Sequence, residues 1–399
     1  MKYAMVSMLI PKEYEETFLR DGKKTMQDAA SVLQWHIYNG LCENLGTKIP
    51  LFNILPCGSF PQYSKKVFVP KFSFDQEGKN LGFCNIKLIR NVFRTETLKS
   101  MLYNWCCSDQ EPKTLFVYTL SHPILSAVAA IKRHFPEVRV CAIVADLPDM
   151  SNLSSDKSLI HRIFATYRAK KSYARLSAVD YFALLTKHMA EYMSLYQPYC
   201  VMEGIATAQD EFSEPAYDSE IKTVFYGGTL HRRFGVLHLL EAFQQITEQN
   251  YRLILCGTGD CEEEIKMAAE KDCRIQFYGQ KPRAEVLKLQ AQSTVLVNPR
   301  QNNEVFTKYS FPSKNLEYLS SGIPVVAYKL DGIPDEYDEY ILYVEGNDAE
   351  SLTRKIIETC EKTSQERKAI GMKARDFVTK QKNQTIQTGK ILALLNGGE

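Results

Sequence analysis

The stretch richest in chemistry runs Phe311-Pro312-Ser313-Lys314-Asn315-Leu316-Glu317 and on to Gly322-Ile323-Pro324-Val325-Val326. Pro312 and Ser313 read as a helix start, and Gly322 with Pro324 stops that helix before a buried strand. Lys314 then lies in the first turn, where a cation opposes the helix dipole unless an anion sits between them. Glu317 follows three residues later, so both side chains can face one groove. A surface salt pair worth about 0.3 kcal/mol would explain the pair. It would not explain the punctuation on either side.

Two glycine turns precede this stretch. Tyr226-Gly227-Gly228-Thr229-Leu230-His231-Arg232-Arg233-Phe234-Gly235 lies between a predicted strand and a predicted helix, where glycine lets a backbone approach a ligand and a helix start offers N–H groups to an anion. Arg232 and Arg233 add fixed charge. An ordinary turn with solvated arginines is the plain alternative. Leu255-Cys256-Gly257-Thr258-Gly259-Asp260 repeats the arrangement after the next strand, so the two turns would line one site at the carboxyl ends of neighbouring strands. Neither has the G-x-G-x-x-G spacing, which argues against a nicotinamide cofactor.

In the first half, Asp146 follows the apolar run Val140–Ala145 and would project from the carboxyl edge of a sheet, where it could act as a general base. A turn cap before Leu147-Pro148 is the alternative. His122, after Tyr118-Thr119-Leu120-Ser121, is a similar candidate with a similar alternative, a cap or core histidine. Asp146 and Asp149 stand apart around a proline and form no Asp-x-Asp pair, so no metal is expected.

The elements that must hold these residues follow from the hydrophobic pattern. Short β-branched or aromatic runs alternate with amphipathic stretches along the chain, the pattern of an α/β fold with parallel sheets. Strands are predicted near 3–10, 51–55, 114–118, 138–144 and 181–185, and again near 222–226, 252–256, 275–278, 295–298 and 325–328. Helices are predicted at 95–106, 123–134, 158–176, 235–247, 262–271, 282–292, 313–321, 350–362, 365–379 and 384–395. The polar stretch 208–220 reads as a linker. This gives an N-terminal domain over 1–205, a second over 206–380 and a last helix over 381–399 that packs back towards the first. At 399 residues, two cores are expected.

With 49 basic and 47 acidic residues the net charge is +2, which gives no footprint for nucleic acid. Eleven scattered cysteines without metal-ligand spacing point to free thiols, no structural zinc and a reducing, cytoplasmic compartment. Residues 1–10 are apolar but lack a signal peptide's long h-region, and no apolar run approaches the ~20 residues of a membrane span. The basic amphipathic segment Lys157–Arg175 could lie on an anionic membrane surface, or pack on the sheet as an ordinary helix.

Gly227-Gly228-Thr229, Gly257-Thr258-Gly259, Tyr278-Gly279-Gln280 and Pro312-Ser313-Lys314 through Glu317 to Val326 stand in the order and approximate spacing of family-4 retaining glycosyltransferases of the GT-B architecture. The sequence resembles that family over Lys222 to about Thr359, with fainter likeness at Ala145–Pro148, Leu185–Met189 and Val201–Ile205, and looks like its bacterial polysaccharide branch. The resemblance implies two facing Rossmann-like domains, a nucleotide-diphosphate sugar on the second, an acceptor on the first and transfer between them. It implies that Ser313 and Lys314 hold the diphosphate with Gly228 and Thr229, that Glu317 accepts from the ribose hydroxyls, and that Gly257 and Tyr278–Gln280 flank base and ribose. Two positions depart from the pattern. Tyr309 stands where the family has a sugar-binding glutamate, for which Glu304 is the nearest substitute. Phe234 replaces a lysine, leaving the charge to Arg232 or Arg233.

The chemistry so implied is metal-free and cofactor-free. Lys314 would stabilise charge on the departing diphosphate, and Asp146, with His122 nearby, would serve the acceptor. No residue announces itself as a covalent nucleophile, which favours front-face attack assisted by the leaving phosphate. A uridine donor is expected, with guanosine second, and a saccharide or lipid-linked saccharide as acceptor. An epimerase or phosphorylase on the same fold, or a non-catalytic partner subunit, are the alternatives.

Overall fold

The alternation of apolar runs and amphipathic stretches forms two parallel sheets in the computed structural model, which describes residues 1–15, 17, 28–150, 166–167, 169–206, 215–218 and 220–397. Contacts divide the chain into one unit of residues 1–203 with 384–399 and a second of residues 204–383.

The first unit is built on eight strands, in spatial order Tyr199–Val201, Tyr181–Leu184, Arg139–Val144, Lys113–Tyr118, Lys2–Ser7, Leu51–Asn53, Gly78–Asn80 and Phe72–Phe74. Only the last pair is antiparallel. Lys113–Tyr118 is buried at every position, as strands covered on both faces must be, and this is why the central strands read as unbroken apolar runs. The first strand stops at Ser7, short of the predicted Ile10, because side chains take over its backbone bonds. Gln34 Oε1 accepts from Met8 N at 2.6 Å, and Asn53 Oδ1 from Leu9 N at 2.9 Å.

The helix Gln384–Leu395 belongs to this unit. It packs on the helix Asp28–Leu45, where a side chain on Gly40 would come within 2.5 Å of Gln384 O. Gln387 Nε2 donates to the buried Glu203 at 2.8 Å. That bond gives the Val201–Ile205 stretch a structural use.

The second unit has six parallel strands in the order Ile275–Gly279, Tyr251–Cys256, Lys222–Gly227, Val295–Asn298, Val325–Ala327, Leu342–Tyr343. Numbered along the unit this is 3-2-1-4-5-6, a doubly wound order whose crevice opens between the first and fourth strands. Part of the expected linker proves to be anchored. Ala216 N donates to Ala291 O at 2.9 Å, and Tyr217 Oη to Gly322 O at 2.8 Å. Polarity signalled a tether, yet these backbone and hydroxyl bonds fasten 215–218 to the second unit; the rest of 207–214 lies outside the described residues. All eleven cysteines are free.

Candidate functional site

In the second unit three strand ends lie side by side. Gly228 N donates to Cys256 O at 2.9 Å, Leu230 N to Thr258 O at 2.9 Å, and Gly257 N to Gly279 O at 2.8 Å. A Cβ on Gly257 would lie 1.8 Å from Gly228 O, and one on Gly259 2.1 Å from Leu230 O. Those two glycines therefore admit a neighbouring turn. Gly228 itself is half-buried at the crevice.

The helix Ser313–Ser320 is fastened to this turn. Tyr318, fully buried, accepts from Gly227 N at 2.9 Å, and Lys314 Cε lies 3.5 Å from where a Gly228 Cβ would be. The helix start carries no side-chain cap and no acidic residue in its first turn, so Lys314 is the charge there. Gly322, at φ +83°, ends the helix as its position predicted. Tyr318→Phe is expected to strand the buried Gly227 N–H at a cost of about 1–3 kcal/mol, read from urea midpoints, without unfolding the unit.

Glu317 is more than half of a surface pair. Its Oε1 accepts from Lys314 Nζ at 2.9 Å and Gln290 Nε2 at 2.8 Å, and its Oε2 from Arg283 Nη1 at 3.0 Å. The side chain is 14% exposed. Burial alone would raise its carboxyl, but Lys314 and Arg283 outweigh that and bring it down to about 2. The group is an ionised acceptor held between two cations.

The arginines of the first glycine turn differ in use. Arg232 pairs with Glu264, and its N–H donates to Asp260 at 3.0 Å, so its charge is already matched. Arg233 lies over the rings of Phe234 and Phe306, at 5.0 and 5.6 Å. Arg300, just past the fourth strand of the sheet, lies over the same two rings at 5.6 and 4.3 Å. It is 9% exposed, donates to Ser310 Oγ at 2.8 Å and leaves Nε without a partner. Burial and Arg233 push its guanidinium down to about 10. Neither Arg233 nor Arg300 meets a carboxylate among the described residues. Phe234, in the family's lysine position, is thus a platform for two cations, one of which the sequence reading missed.

The remaining second-unit candidates are dispersed. Thr229 and Gln280 are exposed on the first and third of these turns, and Ser313 at the helix start. Glu304 is exposed where the short helix Val305–Tyr309 begins, and Tyr309 is half-buried at its end.

In the first unit, Asp146 and His122 are brought together on a cavity of about 300 Å³. Met8 and Thr119, which follow the two strands flanking that sheet's own reversal point, also line it. Asp146 is exposed to the cavity, whose walls displace enough water to lift its carboxyl above the usual range; no cation lowers it. His122 Nδ1 lies 3.5 Å from Ser126 Oγ. Asp149 is engaged instead by Tyr173 Oη, at 2.5 Å, and Tyr192. Most of the basic segment Lys157–Arg175 lies outside the described residues. In its described part, Lys171 stacks on the exposed Tyr167. Among the described residues no His/Cys/Asp/Glu group of three or more is placed to hold a metal ion, and no helix is long and apolar enough to cross a membrane.

Sheet order and site define the class: this is the GT-B fold of glycosyltransferases. The lipopolysaccharide outer core galactosyltransferase WaaB in its apo form superposes with a TM-score of 0.61 at 14% identity, covering 100% of this chain and 99% of that one. Residues 207–377, which lie within the second unit, match the family described as Glycosyl transferases group 1. The chain is 26% identical over 188 residues to the putative colanic acid biosynthesis glycosyltransferase WcaL of Escherichia coli K12, covering 45% of this chain and 46% of that protein. It is also 26% identical over 146 residues to the O-antigen chain mannosyltransferase B of Escherichia coli, covering 35% and 37%. The match thus spans less than half the length of either relative.

Proposed function

We propose that this chain is a retaining glycosyltransferase that moves a sugar from a nucleotide-diphosphate donor to a saccharide or lipid-linked saccharide during synthesis of a surface or exported polysaccharide. Lys314 carries the reading: its stem lies 3.5 Å from the Gly228 Cβ position, in the first turn of an uncapped helix at the sheet's crevice. A diphosphate there meets a cation and free helix N–H groups, the recognition that helix starts give phosphate. Glu317, held ionised, suits ribose hydroxyls, while Gly228, Thr229 and Ser313 serve the diphosphate and Gly257 and Gln280 the base and ribose. Glu304 and Tyr309 fall to the donor sugar. The relatives' names, which concern colanic acid and O-antigen, support the polysaccharide context.

In this reading the acceptor oxygen bonds to the anomeric carbon on the face from which the diphosphate leaves. The glycosyl–phosphate bond breaks, and the hydroxyl proton passes to the leaving phosphate. Negative charge grows on the diphosphate, and cations fixed beforehand stabilise it more in the transition state than in the ground state. Lys314, Arg233 and Arg300 supply that charge without a metal or resident cofactor, and Asp146 and His122 serve the acceptor. Uridine is the expected nucleotide. The cytoplasm is the expected compartment, with Lys157–Arg175 as a peripheral membrane contact.

Thermal melting against UDP, GDP, ADP and their sugars tests the donor site. At one hundred times its Kd, the right nucleotide adds about 2.7 kcal/mol to the folded state. Lys314→Ala is expected to abolish the shift. No shift with any nucleotide sinks the reading in favour of a partner subunit, and a donor isomerised without acceptor points to an epimerase.

A further inference from the structure

Part of the first unit's surface is apolar where a helix ordinarily turns polar residues to water. The chain winds into helical turns before the helix Arg90–Cys106 begins: Arg90 N donates to Ile86 O at 2.9 Å and Phe93 N to Ile89 O at 3.2 Å. Ile86, Ile89 and Phe93 therefore share one face, with Leu88 and Val92 beside them. The helix buries Arg94, Leu98, Leu102 and Cys106, one turn apart, and its later exposed positions include the polar Glu96, Ser100 and Asn104. The first turns break that rule. Leu88 is 88% exposed and Val92 62%, and Ile86, Ile89 and Phe93 are exposed as well. Phe68, 68% exposed, extends the patch. It pairs with Cys84, and the bond from Asn85 N to Val67 O carries that pairing on, so Phe68 lies diagonally across from Ile86.

The turn is pinned from beneath. Arg90 Nη1 donates to Cys57 O at 3.3 Å and Asn85 Nδ2 to Gly58 O at 2.8 Å. Its surroundings are positive. Residues 60–99 hold eight basic residues against three acidic ones, in a chain whose net charge is only +2. Two of those acids are already matched, Asp75 by Lys48 at 2.7 Å and Glu96 by Lys99 at 3.1 Å. Lys87, between Ile86 and Leu88, is exposed and meets no carboxylate among the described residues. Lys65 and Lys66, three and two residues before Phe68, are exposed too. A contiguous apolar patch with a polar rim marks a site of association. Protein–protein interfaces are depleted in lysine, whereas apolar side chains ringed by lysine suit the boundary between anionic headgroups and acyl chains.

We propose that the first unit docks on an anionic lipid surface through residues 86–93 and Phe68, the apolar side chains entering the headgroup–acyl boundary and Lys65, Lys66 and Lys87 meeting the headgroups. This surface is separate from the segment Lys157–Arg175. The docking does not rest on the transferase reading; the use made of it does. Arg90 and Asn91, from the same turns, line the cavity of Asp146 and His122, so a docked chain holds that cavity beside the lipid, where a lipid-linked acceptor is carried.

The whole chain, wild type and variant, is floated with phosphatidylcholine vesicles with and without phosphatidylglycerol. Wild type is expected to float with the anionic vesicles, much less with the neutral ones, and to be partly released by salt. Leu88→Ser combined with Val92→Ser is expected to weaken binding at least about tenfold, because two apolar side chains no longer leave water. Lys87→Glu is expected to weaken it about tenfold on anionic vesicles. These positions are exposed, so the variants should fold and keep any nucleotide-dependent melting shift, which separates loss of docking from loss of the donor site. Leu88→Trp is expected to add fluorescence that brominated acyl chains quench, which locates the contact. Wild type that floats with neither vesicle overturns the proposal. Flotation that survives the paired serine variant and is lost in Lys170→Glu with Lys171→Glu overturns it in favour of the segment Lys157–Arg175. A wild-type dimer in lipid-free solution that the serine variant dissociates overturns it too, and assigns the patch to a second copy. Failure of every nucleotide to shift melting would remove the transferase reading and leave the flotation standing.

Discussion

Glu317→Gln is expected to lower stability by on the order of 3 kcal/mol at pH 7, and the gap from wild type is expected to close as pH falls from 4.5 towards 2. The sign follows from the carboxyl's descent from its ordinary 4.5 to about 2 in the folded chain. Above the unfolded value Glu317 is ionised in both states, and the folded state alone gains Lys314 and Arg283. Below it the unfolded chain takes up a proton first, so the contribution is lost progressively until the folded carboxyl is protonated too. The side chain is 14% exposed, so little of the effect is screened away. Glutamine keeps the shape and one acceptor but leaves Lys314 and Arg283 facing each other without an anion. Urea unfolding of both proteins at several pH values between 7 and 3 reads the difference directly. A gap that stays constant across that range would mean that Glu317 is not held ionised by its neighbours, and the ribose role assigned to it would lose its physical basis.

The same residue shows what the sequence could and could not reveal. Lys314 and Glu317 are three apart on one helix, so their shared groove was legible from spacing alone. Arg283 and Gln290 come from another helix, and no local pattern announces a partner across the fold. Parallel strands were legible because burial on both faces leaves unbroken apolar runs such as Val140–Val144. The helix Asp28–Leu45 was not read, since Ser31 and Gln34 turn inwards to bond Ile10 N and Met8 N, which breaks the apolar periodicity. The two-residue strands Phe68–Val69 and Phe83–Cys84 are too short to show a period at all. The exposed apolar turn 86–93 hides for a related reason. A buried leucine and a solvent-facing one such as Leu88 look alike in sequence, and the predicted helix begins only at Thr95, too late to include any of that turn. Arg300 lay closer to hand, because a basic residue just past a strand's carboxyl end at the reversal of a doubly wound sheet falls where ligands bind.

Glycine substitutions separate the two uses of the glycine turns. Gly257→Ala is expected to cost upwards of about 3 kcal/mol, because two independent obstacles meet there. Its φ of +134° is a conformation L residues rarely adopt, and the new Cβ would sit 1.8 Å from Gly228 O, a backbone atom with no rotamer to change. Either the unit loses stability or the Gly228 turn moves away from Lys314, so any stable variant should still fail to show a nucleotide-dependent melting shift. Gly279→Ala is the control. Its φ of +63° is the left-handed region, and nothing lies within 4 Å of the added carbon. Only the conformational cost of about 1–2 kcal/mol remains, and the nucleotide shift should survive. Melting both proteins with and without nucleotide therefore distinguishes backbone-to-backbone packing from mere conformational preference. A Gly257→Ala protein as stable as Gly279→Ala would show that the two turns do not press together as described, and the placement of Gly228 against Lys314 would fall with them.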